Sequence, residues 1–260
     1  MNEATTISAL DAGCLSCILS FTTPRDACRA ATISKGFNSV ADSDSVWEWF
    51  LPPDYREVIA RAVSPVAFES KKKLYHQLSD THILLDGGRL SFNLDKESGK
   101  KCYMMRARDL HIAWENDDRY WIWGHLPESR FEEVAMLKTV CWLDIRGVLA
   151  TSTLSPKTIY SAYLVYRITR FSEELYVPGE AKIMFGGVVT VTRGVYLQQP
   201  HTHAQAQVIP STRKDGWIEV KLGEFNNNDG DEGEVRVAFT KHETFWKTGL
   251  ILEGIEFRPK

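Results

Sequence analysis

Nowhere in the 260 residues does an apolar run approach the roughly 20 needed for a membrane-spanning helix. The opening segment MNEATTISAL has neither a basic start nor a long apolar stretch, so no signal peptide is predicted. No Asn-x-Ser/Thr sequon occurs, which argues against a secreted glycoprotein. Cysteine is scarce: Cys14, Cys17, Cys28, Cys102 and Cys141. An odd number without an export signal points to reduced thiols inside the cell. Charge of one sign is also missing. The formal net charge is −3, so no global attraction to nucleic acid or to an anionic membrane is expected. The imbalance is local, with three Lys/Arg against seven Asp/Glu in Met1–Tyr55, and the rest near neutral.

Patterns for catalysis and metal binding are missing too. Cys14, Cys17 and Cys28 look like part of a zinc site, but no fourth ligand has suitable spacing. His201 and His203 are expected in a loop beside Pro200, with no third ligand. Glu132–Glu133 and the acids Asp229, Asp231 and Glu232 fall in polar segments, not across a cleft as glycoside hydrolysis needs. No Gly-Lys-Ser/Thr follows Gly186–Gly187, so that pair is not a phosphate loop. No serine or cysteine has an evident base. We expect a non-enzyme that holds no metal and no cofactor.

What is there falls into two halves. The first eighty residues have helical period. Leu10, Cys14, Leu15, Ile18 and Leu19 recur on one apolar face, and Asp11 can cap that helix. Thr23-Pro24-Arg25-Asp26 is a second start signal, with proline at the first helical position and a capping-box-like spacing. A third helix is predicted over 33–41 and another from Ser43 into Val46–Leu51, stopped by Pro52-Pro53. Asp54 is a candidate cap for a helix through Val63, and 70–79 reads as a last short helix. From His82 the period becomes two. Strands are predicted over 82–85, 88–94 and 101–105, and over Val140–Arg146, Trp217–Leu222 and Glu234–Phe239. Asn226–Gly233 is a loop by composition. Many short strands between turn signals imply an antiparallel β-sandwich, giving an α+β chain as a whole.

The run SFTTPRDACRAATISKGFNSVADSDSVWEWFLPPDY completes a segment, Leu10–Tyr55, that resembles an F-box. It departs from the usual Leu-Pro start, because Asp11 follows Leu10. Further on come ARDLHIAW (107–114), YWIWG (120–124), VCWLDIRG (140–147), LSPKTIYSAYLVY (154–166), DGWIEVKLGEF (215–225) and GLILEGIEFRPK (249–260). These resemble the phloem protein two, or Nictaba-like lectin, family of plants. The resemblance implies an all-α F-box over 1–55, a helical linker over 56–80, and a jelly-roll-like all-β lectin domain over 81–260.

The resemblance also implies partners and sites. An F-box docks the S-phase-kinase-associated adaptor, which links it to a cullin in an SCF-type ubiquitin ligase. Leu10, Leu15, Ile18, Leu19 and Pro24 match the docking pattern, and Trp47 and Phe50 would lock the third helix. The family's lectins use two early tryptophans, matching Trp114 and Trp121, and a glutamate matching Glu234. A second acidic position falls near Lys241, with Glu243 close by. Trp123 shares a strand face with Trp121 if 120–124 is extended. Trp142, Trp217 and Trp246 read as core or structural surface. The implied function is a receptor for glycosylated proteins in nucleus and cytoplasm, with N-acetylglucosamine-containing glycans as ligands. Two rivals stand beside it: a receptor that reads a protein surface without sugar, and a free intracellular lectin.

Overall fold

A computed structural model describes residues 10–199, 208–228 and 233–260. His201, His203, Asp229, Asp231 and Glu232 lie outside the described residues. The chain is α+β, with helices first and an antiparallel β domain after them. It divides into two compact units, one of Met1–Leu85 with Phe92–Lys101, the other of Asp86–Ser91 with Cys102–Lys260.

The helical unit contains α1 (Ala12–Ser20), α2 (Pro24–Ala30), α3 (Lys35–Ala41), α4 (Asp44–Phe50), α5 (Tyr55–Ala60) and α6 (Lys71–Asp80). Capping sets where they begin. Asp11 accepts the Cys14 N–H at 2.9 Å, so a side-chain cap stands where the usual proline would. Its φ of −66° is one that proline would also adopt. Thr23 accepts the Asp26 N–H and donates its hydroxyl to the Asp26 carboxylate at 2.8 Å. Ser34 caps α3, which starts two residues later than the sequence predicts. Asp54 does not cap α5, which ends at Ala60 and not at Val63. Its carboxylate accepts from the buried Lys101 ammonium at 2.8 Å instead.

Trp47 is fully buried, meets Phe50 edge-on at 5.5 Å, and donates its indole N–H to Ala41 O, the last residue of α3, at 2.7 Å. Tyr75 of α6 packs 5.2 Å from Trp47, and Leu74 and Leu78 are buried with it. Residues 56–80 therefore complete the helical core and are not a linker. Strand β1 (Ile83–Leu85) closes this unit, and β2 (Leu90–Leu94) and β3 (Lys101–Arg106) carry the chain into the next.

The second unit is built on two antiparallel layers. Its strands are β4 (His111–Ile112), β5 (Trp121–Gly124), β6 (Val134–Leu137), β7 (Val140–Ala150), β8 (Thr158–Glu173), β9 (Gly179–Phe185), β10 (Val188–Val195), β11 (Ser211–Thr212), β12 (Ile218–Asn227) and β13 (Glu234–Pro259). The first layer runs β4–β7–β13–β9–β10. The second runs β3–β13–β8–β12–β11, with β6 also paired to β13 and β5 to β6. The 26-residue β13 serves both layers. The switch falls between Lys247, which pairs with β7, and Thr248, which pairs with β8; at the adjoining Gly249 φ is +79° and a Cβ would sit 2.5 Å from Thr169 Oγ1. Inward positions of the first layer alternate strictly: Leu143, Ile145 and Leu149 on β7, Val235, Val237 and Phe239 on β13, Ala181 and Ile183 on β9, all buried. Ile183 lies against Gly223 of β12, where the missing side chain lets the layers approach.

Candidate functional sites

On α1, Leu15 and Leu19 point into the helical unit and are buried, and Pro24 of α2 is buried too. Leu10 is half-buried. Of the five residues expected to meet an adaptor, only Ile18 is fully available, at 49% exposure. Leu15 and Leu19, four residues apart on α1, share the side that packs against α3 and α4. The opposite side of α1 has its own stripe. Cys14, Cys17 and Ile18, with Phe21 at the C-cap, lie three or four residues apart as 14/17, 14/18, 17/21 and 18/21, and all are exposed, Phe21 at 83%. Trp49 of α4 is also exposed. An apolar stripe left open on a small helical unit marks an interface.

In the β unit the expected sugar residues do not converge. Trp114, at φ +67° and 56% exposure, leans on Tyr120 with ring centres 5.7 Å apart. Trp121 is 1% exposed, so its ring is core and not a platform. Its Nε1–H donates to Ala113 O at 3.1 Å. Trp123 is half-buried and roofed by the Arg108 guanidinium, 3.5 Å from its ring centre. Glu234 pairs with Ala150 at one end of β13 and bonds Arg236 at 3.1 Å.

Ladder register excludes one sugar contacting both Trp114 and Glu234. Ala113 is level with Asp144, which pairs with Thr240, so Trp114 comes level with Lys241. Seven residues of strand, about 23 Å, separate that level from Glu234. Glu243 sits at the Trp114 end between two buried lysines, 3.3 Å from Lys241 Nζ and 4.0 Å from Lys247 Nζ. Burial pushes both ammonium groups below the ordinary lysine value, against the pull of Glu243. Lys241 donates to Val177 O and Lys247 to Cys141 O, so this cluster ties strands together.

The outer face of the first layer has a different set of groups. Trp142, which the sequence reads as structural, is 60% exposed. It faces its cross-strand partner His242 with ring centres 5.5 Å apart and an interplanar angle of 34°. Next along the strands, Asp144 is nearly buried and accepts two bonds from Arg146, at 2.8 and 2.6 Å. Beyond lies a groove of about 830 Å³ across β4, β7, β13, β9 and β10. The signal for this face was present in VCWLDIRG, whose alternation puts Trp142, Asp144 and Arg146 on one side and Leu143 and Ile145 on the other. Among the described residues, no group of three or more His, Cys, Asp or Glu is placed to hold a metal.

An F-box model matches residues 7–49 and a phloem protein 2 model matches residues 100–259. Together with the helical unit and the two-layered β unit, these matches make the chain a member of the family of F-box proteins that carry a phloem protein 2 domain. Its relatives include three from Arabidopsis thaliana. Putative F-box protein PP2-B2 is 42% identical over 95% of this chain and 81% of its own length. F-box protein PP2-B10 is 42% identical over 99% and 96%. F-box protein PP2-B1 is 35% identical over 100% and 92%. A solved carbohydrate-binding module in complex with β-1,4-galactotriose aligns at TM-score 0.28 and 11% identity, over 66% of this chain and 88% of that one, a likeness too weak to build on.

Proposed function

We propose that this chain is the substrate-recognition subunit of an SCF-type cullin–RING ubiquitin ligase. The helical unit docks the S-phase-kinase-associated adaptor, and the β unit binds N-acetylglucosamine-containing glycans on proteins of the nucleus and cytoplasm. Ubiquitin transfer itself takes place on other subunits. The observation that carries this reading is the exposed stripe Cys14–Cys17–Ile18–Phe21 on α1 of an F-box. A small unit gains by covering such a stripe with a partner, at about 25 cal/mol per Å² of apolar surface buried. The test is co-purification of the adaptor with the full chain. Capture by the natural sequence and loss with Ile18→Asp supports the reading, and equal capture by both overturns it.

One observation favours a second reading, a receptor that recognises a protein surface without sugar. Trp121 is buried and Trp114 lies far from Glu234, so the sugar residues implied by the family do not form one site. A glycan array with the full chain separates the two readings.

A further inference from the structure

We infer that the β unit binds saccharide on the outer face of the sheet β4–β7–β13–β9–β10, with Trp142 and His242 at one end, and that the ligand is a neutral oligosaccharide. This rests on the glycan reading above and names the site that it leaves open.

Three features of the face point the same way. The first is the aromatic end. Trp142 and His242 are both exposed, and their rings lean on one another with centres 5.5 Å apart and planes tilted by 34°, which leaves the outer face of the Trp142 indole open. An aromatic body with a polar rim suits a ligand that has an apolar ring face and hydroxyl edges.

The second is charge. Three adjacent strands carry the same device, an acid and a base two residues apart on the outer face. These are Asp144–Arg146 on β7 at 2.6 Å, Glu180–Lys182 on β9 at 2.8 Å and Glu234–Arg236 on β13 at 3.1 Å. Each pair is neutral in sum, so the face has little net field to attract an anion or a cation. It remains rich in groups that hydrogen-bond, with carboxylates as acceptors and two guanidinium groups and one ammonium as donors. A neutral polyol is the ligand complementary to that pattern. An acidic or basic peptide would meet a like charge on each of these three strands.

The third is size. From Trp142 to Val148 the face runs six residues, about 20 Å along the strands. Its far end has an apolar floor of Val148, Met184, Val189 and Ala238. The groove volume of about 830 Å³ lies in the upper part of the range for small-molecule sites. That is room for several sugar rings in a row.

The experiment measures binding of the full chain to N-acetylglucosamine and to immobilised chitotriose, cellotriose and xylotriose. The variants are Trp142→Ala, Arg146→Ala and Trp114→Ala. All three positions are exposed, and unchanged thermal melting checks the fold. The natural sequence is expected to prefer a trisaccharide over the monosaccharide by about tenfold or more. Trp142→Ala and Arg146→Ala should each weaken binding by about tenfold, and Trp114→Ala by less than about twofold. Glycan binding that survives Trp142→Ala and Arg146→Ala, or that fails with Trp114→Ala instead, overturns the site while leaving the glycan reading intact. Equal affinity for monosaccharide and trisaccharides overturns the extended groove. No glycan binding by the natural sequence defeats the glycan reading itself.

Discussion

The buried indole of Trp121 donates its N–H to Ala113 O at 3.1 Å, and Trp123 repeats the relationship with Glu115 O at 3.3 Å. Both bonds span eight residues, so strand β5 is pinned to the segment that follows β4. These tryptophans organise the unit, whereas Trp114 does not. We expect Trp121→Ala to cost about 3–5 kcal/mol in chemical denaturation. Trp114→Ala should stay within about 0.5 kcal/mol, as an exposed side chain would. Equal stability of the two variants would contradict this division of roles.

The two sides of α1 give a second contrast. Leu19→Ala removes a buried side chain and should lower stability of the helical unit by about 2–5 kcal/mol. Ile18→Asp changes an exposed residue and should leave thermal melting nearly unchanged while adaptor capture is lost. A large melting shift for Ile18→Asp would show that the stripe belongs to the core.

Acid behaviour of the β unit turns on two buried glutamates of β13. Burial raises the Glu256 carboxyl, but Arg130, Arg213 and Arg258 outweigh it and hold the group at about 2. Arg130 and Arg213 bond its two oxygens at 2.8 and 2.7 Å. Its folded value lies below its unfolded one, so its stabilisation is present above about pH 4.3 and fades as pH falls towards 2.

Glu253 has the opposite sign. Burial raises its carboxyl, against the Arg130 N–H, the Arg130 charge and the Ser129 hydroxyl. Its charge costs stability at neutral pH, and that cost disappears as pH falls to the unfolded value. Glu253→Gln should therefore raise neutral-pH stability. Glu256→Gln should lower it by about 3–5 kcal/mol by leaving arginines unpaired. Denaturation midpoints across pH measure both. Shifts of the same sign for the two variants would contradict the assignment.

Close approach of β13 to β3 depends on Gly254, where a Cβ would stand 1.9 Å from Met105 O. Gly254→Ala should be severely destabilising, because backbone must move. Normal melting of this variant would contradict the packing.

Much of the fold was legible because local signals agreed. The Thr23-Pro24 and Ser34 caps start helices within two residues of prediction, and VCWLDIRG alternates as it does in β7. The length of β13 was not legible. Its alternation breaks between His242 and Lys247, where the register shifts, and the strand continues in the other layer from Thr248. The site was the hardest part. Four aromatics within Trp114–Trp123 look like a platform, yet two of them find indole partners in backbone carbonyls, which sequence does not reveal. Leu15 and Ile18 likewise belong to one apolar pattern, and only the neighbouring helices decide which is covered.

The central claim is that one chain joins adaptor docking to glycan recognition. The direct measurement is retention of the adaptor on chitotriose beads in the presence of the full chain. The account predicts that the adaptor is held only with the chain present, is released by free chitotriose, and is lost with either Ile18→Asp or Trp142→Ala. An adaptor-bound chain that passes through the beads unretained would contradict it.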